Sequence, residues 1–115
     1  KKNLSVVKKK IHMKKVDKIQ KKIGLIKVDT NGNELFVIKA LQKIIKKNKP
    51  AIIVEINNDI PSIDKILKKH SYKGYYYSVE RKKFIESAIK STPNKYYLQK
   101  KHLYKQFKIY NKFCI

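Results

Sequence analysis

The stretch Ile26-Lys27-Val28-Asp29-Thr30-Asn31-Gly32-Asn33-Glu34-Leu35 decides the reading of the chain, because its hydrophobic period changes inside it. Residues 23–29 are a short apolar run with β-branched side chains, bounded by Gly24 and by Thr30-Asn31-Gly32-Asn33, which predicts a buried strand closed by a tight turn. Beyond the turn, Leu35, Ile38, Leu41 and Ile45 recur at threes and fours. Lys39, Gln42, Lys43 and Lys46 take the opposite face, so residues 34–47 are predicted to form one amphipathic helix. Asn33 is expected to cap that helix, and Glu34 to sit at its positive end.

Working outward, Pro50 ends the helix and residues 51–56 form a second apolar strand with a lone acid, Glu55. Pro61-Ser62 then leads into Ile63, Ile66 and Leu67 at helical spacing up to His70, with Ser62 as the expected N-cap. Strand, helix, strand, helix is the order of an α/β fold with a parallel sheet and right-handed crossovers. Residues 72–79 and 83–87, separated by Glu80-Arg81-Lys82, predict an antiparallel hairpin in which Tyr75, Tyr76 and Tyr77 alternate between faces. Tyr96-Tyr97-Leu98 reads as a final strand, and Leu103, Phe107 and Tyr110 as one face of a terminal helix. Upstream, residues 4–13 alternate as a strand does, and residues 16–22 make a short helical segment closed by Gly24.

With 115 residues the chain has room for one domain at most, and 42% hydrophobic residues suffice for a packed core. No uncharged apolar run exceeds four residues, far below the ~20 of a membrane-spanning helix, so no membrane span is expected. The first residue is Lys1 and no signal peptide follows it, so the start reads as a cut through a longer chain. Cys114 is the only cysteine, which suits a reducing, cytoplasmic setting; one residue follows it, too few for a prenylation signal. The net charge of +22 invites a nucleic-acid reading. However, it comes from 29 lysines and a single arginine, Arg81, and Lys, Ile, Asn and Tyr all have A/T-rich codons. Base composition accounts for that profile, and the near absence of arginine argues against specific nucleic-acid recognition.

In open parallel sheets, ligands bind beyond the carboxyl ends of the strands. Two strands here end in acids. Asp29 stands directly before the tight turn, where it suits a chemical role or a turn cap bonded to backbone amides. Glu55 lies one residue inside its strand, so burial would raise its pKa unless it is paired. Lys27 shares a face with Asp29 by alternation and either supplies that pairing or simply snorkels to water. His12, His70 and His102 adjoin none of these residues and read as surface positions.

These residues resemble the C-terminal half of FkbM-type methyltransferases. Residues 26–35 follow the family pattern I-K-[IV]-D-x-E-G-x-E-L, and a helix with Ala40-Leu41, then Lys49-Pro50 and a strand ending Val54-Glu55-Ile56, follow as in the family. Val16-Asp17 resembles the Leu-Asp that precedes the motif, and Tyr72-Lys73-Gly74-Tyr75 the glycine- and tyrosine-rich hairpin, so the resemblance covers about residues 5–100. Asn31 replaces the usual Glu, and the glycine-rich cofactor loop of the first strand is missing.

The resemblance implies the C-terminal part of a class I, Rossmann-like methyltransferase sheet, parallel with a terminal antiparallel hairpin. That domain would span residues 1–100, followed by a basic aromatic tail over 101–115. It also implies an S-adenosylmethionine-dependent enzyme acting on a hydroxyl of a small molecule or glycan, and no residue is assigned to a metal. Asp29 is then the catalytic candidate and Asn31, Glu55 and Lys27 the substrate-binding ones, in a piece inactive by itself. The alternative from composition is a small basic protein that binds RNA or an acidic surface through Lys and Tyr.

Overall fold

A computed structural model describes residues 21–103. The expected strand over 4–13, the segment over 16–20, His12 and the tail beyond Leu103 lie outside the described residues.

The first described strand, β1 (Leu25–Val28), runs parallel to β2 (Ala51–Glu55), with Leu25 opposite Ala51 and Val28 opposite Val54. Two helices connect them: α1 (Glu34–Ala40) and α2 (Gln42–Asn48). The single expected helix is thus interrupted at Leu41, whose N–H is shared between the carbonyls of Val37 (3.0 Å) and Ile38 (3.2 Å). This tightening is local, because Ile45 still donates to the Leu41 carbonyl at 2.9 Å. Lys49 takes the left-handed conformation at the end of α2 (φ 49°), and the buried Pro50 immediately precedes β2.

Helix α3 (Ile60–Lys69) begins earlier than expected, with Asp59 rather than Ser62 at the N-cap position and Pro61 in the first turn. There the ring's fixed φ suits the helix and its missing N–H leaves nothing unpaired. Strand β3 (Lys73–Ser78) and β4 (Lys83–Ile85) make the expected hairpin, and β5 (Asn94–Leu98) is the expected final strand.

The sheet order is β1-β2-β5-β3-β4, with β5 antiparallel to both neighbours. The five-stranded sheet is therefore mixed. Among the described residues only β1 and β2 are parallel, and β5 lies between β2 and the hairpin, which corrects the expectation of a parallel sheet with a hairpin appended.

Register places Val28, Ile52, Val54 and Tyr97 on one face, and all four are at most 2% exposed. Ile38, Leu41, Ile44 and Ile45 of the α1–α2 segment and Ile60, Ile63 and Leu67 of α3 complete the core against that face. The other face of β1 and β2 carries Leu25, Lys27, Asp29, Ala51, Ile53 and Glu55, none of them fully buried. The expected buried strand is accordingly exposed: β1 is an edge strand among the described residues, Val28 alone is buried, and Leu25 is 59% accessible. The tyrosines alternate as predicted. Tyr76 lies beneath the Lys95 ammonium at 5.4 Å, and Tyr77 stacks edge-on against Phe84 at 5.2 Å on the opposite face.

Candidate functional site

The chain leaves β1 at Asp29 and reverses through Asn31 (φ 53°) and Gly32 (φ 102°) into α1. Two successive residues at positive φ explain the Asn-Gly pair, since glycine and, after it, asparagine reach that region at least cost. The reversal turns backbone N–H groups inward, toward the side chain of Glu34. Its carboxylate accepts from Thr30 N at 2.9 Å and from Gly32 N at 3.0 and 3.3 Å, while the Asn57 amide donates to it at 2.5 Å. Asn57 also accepts from Asp59 N at 2.8 Å, so one amide links the turn to the start of α3.

Glu34 is wholly buried. Burial pushes its pKa up, yet the backbone donors of Thr30, Glu34 itself and Gly32 outweigh that and hold it below the ordinary value. Asn33 makes no side-chain cap, contrary to expectation; its carbonyl accepts from Val37 N at 3.0 Å, and the charge at the helix start is supplied by Glu34.

Parallel pairing brings the ends of β1 and β2 side by side, and with them Asp29 and Glu55. The Glu55 pKa is raised, first by a hydrogen bond to the Asp29 side chain, then by the Asp29 charge, by desolvation and by the Glu34 charge; Lys27 opposes the shift. The expected direction is therefore present, with a neighbouring carboxylate rather than burial as its main cause. Asp29, Glu34 and Glu55 each bring one oxygen within 4.8 Å of the others, a spacing at which a cation can be shared. Both Glu34 oxygens already accept N–H donors, so Asp29 and Glu55 are the two carboxylates left to hold a proton or a cation.

Lys27 forms no ion pair with Asp29 or Glu55 among the described residues, and its charge reaches Glu55 only through space. Asn31 is exposed at the tip of the turn. The two acids expected at the strand ends thus meet, and of the two readings of Lys27 the exposed side chain without an ion pair is the one observed. Sequence reasoning missed Asn57, whose only sequence signal is its place two residues beyond Glu55. His70 and His102 are half-buried rather than superficial: His70 Nε2 lies 3.2 Å from Gln42 Oε1, and His102 Nδ1 accepts from Gln99 N at 2.9 Å.

A nucleoside cofactor needs backbone N–H groups free at a glycine-rich turn. Gly24, Gly32 and Gly74 stand apart from one another, and the N–H groups of Thr30 and Gly32 are taken by Glu34. The described residues therefore offer an acidic surface at the ends of β1 and β2 and no glycine-rich turn with free N–H groups.

A family model described as methyltransferase FkbM domain matches residues 6–77, a stretch that runs from before β1 through all but the last residue of β3. No curated protein and no solved structure matches the chain.

Proposed function

The chain belongs to the FkbM methyltransferase family, and on that premise we propose that it is the C-terminal part of a class I, Rossmann-like enzyme that methylates a hydroxyl of a small molecule or glycan. The observation that carries this reading is the meeting of Asp29 and Glu55 at the adjacent ends of two parallel strands, where open α/β sheets hold their ligands. S-adenosylmethionine, the cofactor the family implies, supplies an electrophilic methyl group when bound.

In this reading the chain's own residues serve the acceptor. Asp29 takes the hydroxyl proton or orients the oxygen, a role that requires a carboxylate within hydrogen-bond reach. Glu55, which holds its proton to higher pH than a free glutamate, donates to Asp29 and fixes its orientation. Glu34 and Asn57 keep the turn that carries Asp29 in register with the end of β2. Asn31 and Lys27, both exposed beside Asp29, contact the acceptor's polar groups.

Because the described residues hold no glycine-rich turn with free N–H groups, the glycine-rich loop belongs to a portion upstream of β1. Titration calorimetry with S-adenosylmethionine tests this on the 115-residue chain and on a version extended upstream. The longer protein should bind and the shorter should not. Low-micromolar binding by the short chain would misplace the cofactor site, and absence of methyl transfer to hydroxyl acceptors by the long one would remove the enzyme reading.

A further inference from the structure

At the end of the sheet opposite Asp29 and Glu55, a groove of about 650 Å³ opens between α3 and the paired strands β3 and β5. The placement follows from register, since Glu55 faces Asn94 at one end of β5 while Lys73 faces Leu98 at the other. Volumes of several hundred Å³ are typical of small-molecule sites. Four lysines, Lys68, Lys73, Lys95 and Lys100, line the groove against one acid, Asp64.

That acid is already committed. Lys95 Nζ donates to both Asp64 oxygens, at 2.9 and 3.1 Å, and the Tyr97 hydroxyl donates to Oδ1 at 2.6 Å. Lys73 pairs with Glu86 at the rim, where side chains 62% and 60% exposed leave the pair open to water and salt. Lys68 and Lys100 have no ion-pair partner among the described residues. The Lys95 side chain lies directly against Gly74, where a Cβ would stand 2.4 Å from its Cε.

We propose that this groove binds a phosphate-bearing small molecule. Lysines on a convex helix face, such as Lys43, Lys46 and Lys47 of α2, offer one weak, fully screened contact each. In the groove, Lys68, Lys100 and the loosely held Lys73 line one concave volume together with Tyr72, Tyr75 and Leu98, and a concave wall of low polarity strengthens the field of the charges that line it. A doubly charged group with several acceptor oxygens matches three ammonium groups better than a single carboxylate does. The assignment does not depend on the methyltransferase reading.

The test is an amide-resolved NMR titration of the full chain with inorganic phosphate and with phenyl phosphate, at ionic strength held constant with chloride. Saturable shifts should appear in residues 71–75 and 95–98. The double variant Lys68→Ala/Lys100→Ala should weaken binding at least about tenfold. Lys43→Ala/Lys46→Ala, which removes the same charge from a convex face, should change it by less than about twofold. Shifts that never saturate, or an equal loss in both double variants, would overturn the proposal. Binding to phosphatidic-acid vesicles by a protein indifferent to both soluble probes would overturn it as well.

Discussion

The Asn57 side-chain amide donates a 2.5 Å hydrogen bond to the carboxylate of Glu34, 23 residues earlier in the chain. The contact ties the turn after β1 to the loop after β2, and those two segments carry Asp29 and Glu55. The geometry of the acidic pair therefore depends on a buried residue that does not itself face the surface.

Removing that anchor should be costly. Glu34→Ala leaves the Thr30 and Gly32 N–H groups and the Asn57 amide without their acceptor, and is expected to destabilise the fold by about 2–4 kcal/mol. Glu34→Gln keeps one acceptor oxygen and should cost less, about 1–2 kcal/mol. Urea unfolding of both variants measures the difference, and equal losses would mean that packing volume, not acceptance, is the role of Glu34.

Asp29→Asn separates chemistry from structure at the proposed site. In a catalytically complete version it should lower methyl transfer by about 10²–10⁴-fold while changing stability by less than about 0.5 kcal/mol. Asparagine retains size and hydrogen bonding and loses only the charge. Unchanged turnover with a lowered melting temperature would show that Asp29 serves the turn alone.

The same carboxylates give opposite pH slopes. Glu34, with its pKa held below 4.5, contributes stability that is present above that value and lost as pH falls beneath it. Glu55, with its pKa raised above 4.5, contributes stability that is complete below that value and lost as pH rises through the raised pKa. Denaturation midpoints from about pH 3 to about pH 8 should show the acid-side loss diminished in Glu34→Gln and the loss on raising pH diminished in Asp29→Asn.

Tyr72 joins the start of β3 to the start of β2, its hydroxyl donating to the buried Pro50 carbonyl at 2.6 Å. Tyr72→Phe should cost about 1–2 kcal/mol, because the carbonyl is left without a donor. Burial raises the Tyr72 pKa to about 12, so this contribution is complete below the ordinary tyrosine value of 10.0 and is lost as pH rises from there through the raised pKa. Spectrophotometric titration of the wild type against the variant would reveal the missing late-titrating phenol.

Nucleic-acid binding should be weak and indifferent to sequence, since the basicity is almost wholly lysine. Filter binding near physiological salt gives the measure, and nanomolar affinity with a clear base preference would contradict the family-based reading.

Much was legible in the sequence because it is local. The apolar run of 51–56, the helical spacing of Ile63 and Leu67, the Asn-Gly reversal and the facing of the three tyrosines each follow from a few neighbouring residues. So do the two acids, because a strand's last residue is fixed by where its apolar run stops. What periodicity could not convey is which strands become neighbours. Strand β5 lies between β2 and β3 because Tyr97 finds Asp64 on α3 and its ring joins the core, long-range contacts with no counterpart in local spacing. The exposure of β1 is of the same kind: its residues are apolar enough for a central strand, yet among the described residues it has one partner. Glu34 gives the sharpest contrast. The sequence alone set a carboxylate at a helix start, and only the folded turn, by aiming two backbone N–H groups and Asn57 at it, made burial of that charge favourable, since a buried charge is stable only where donors replace the water it loses.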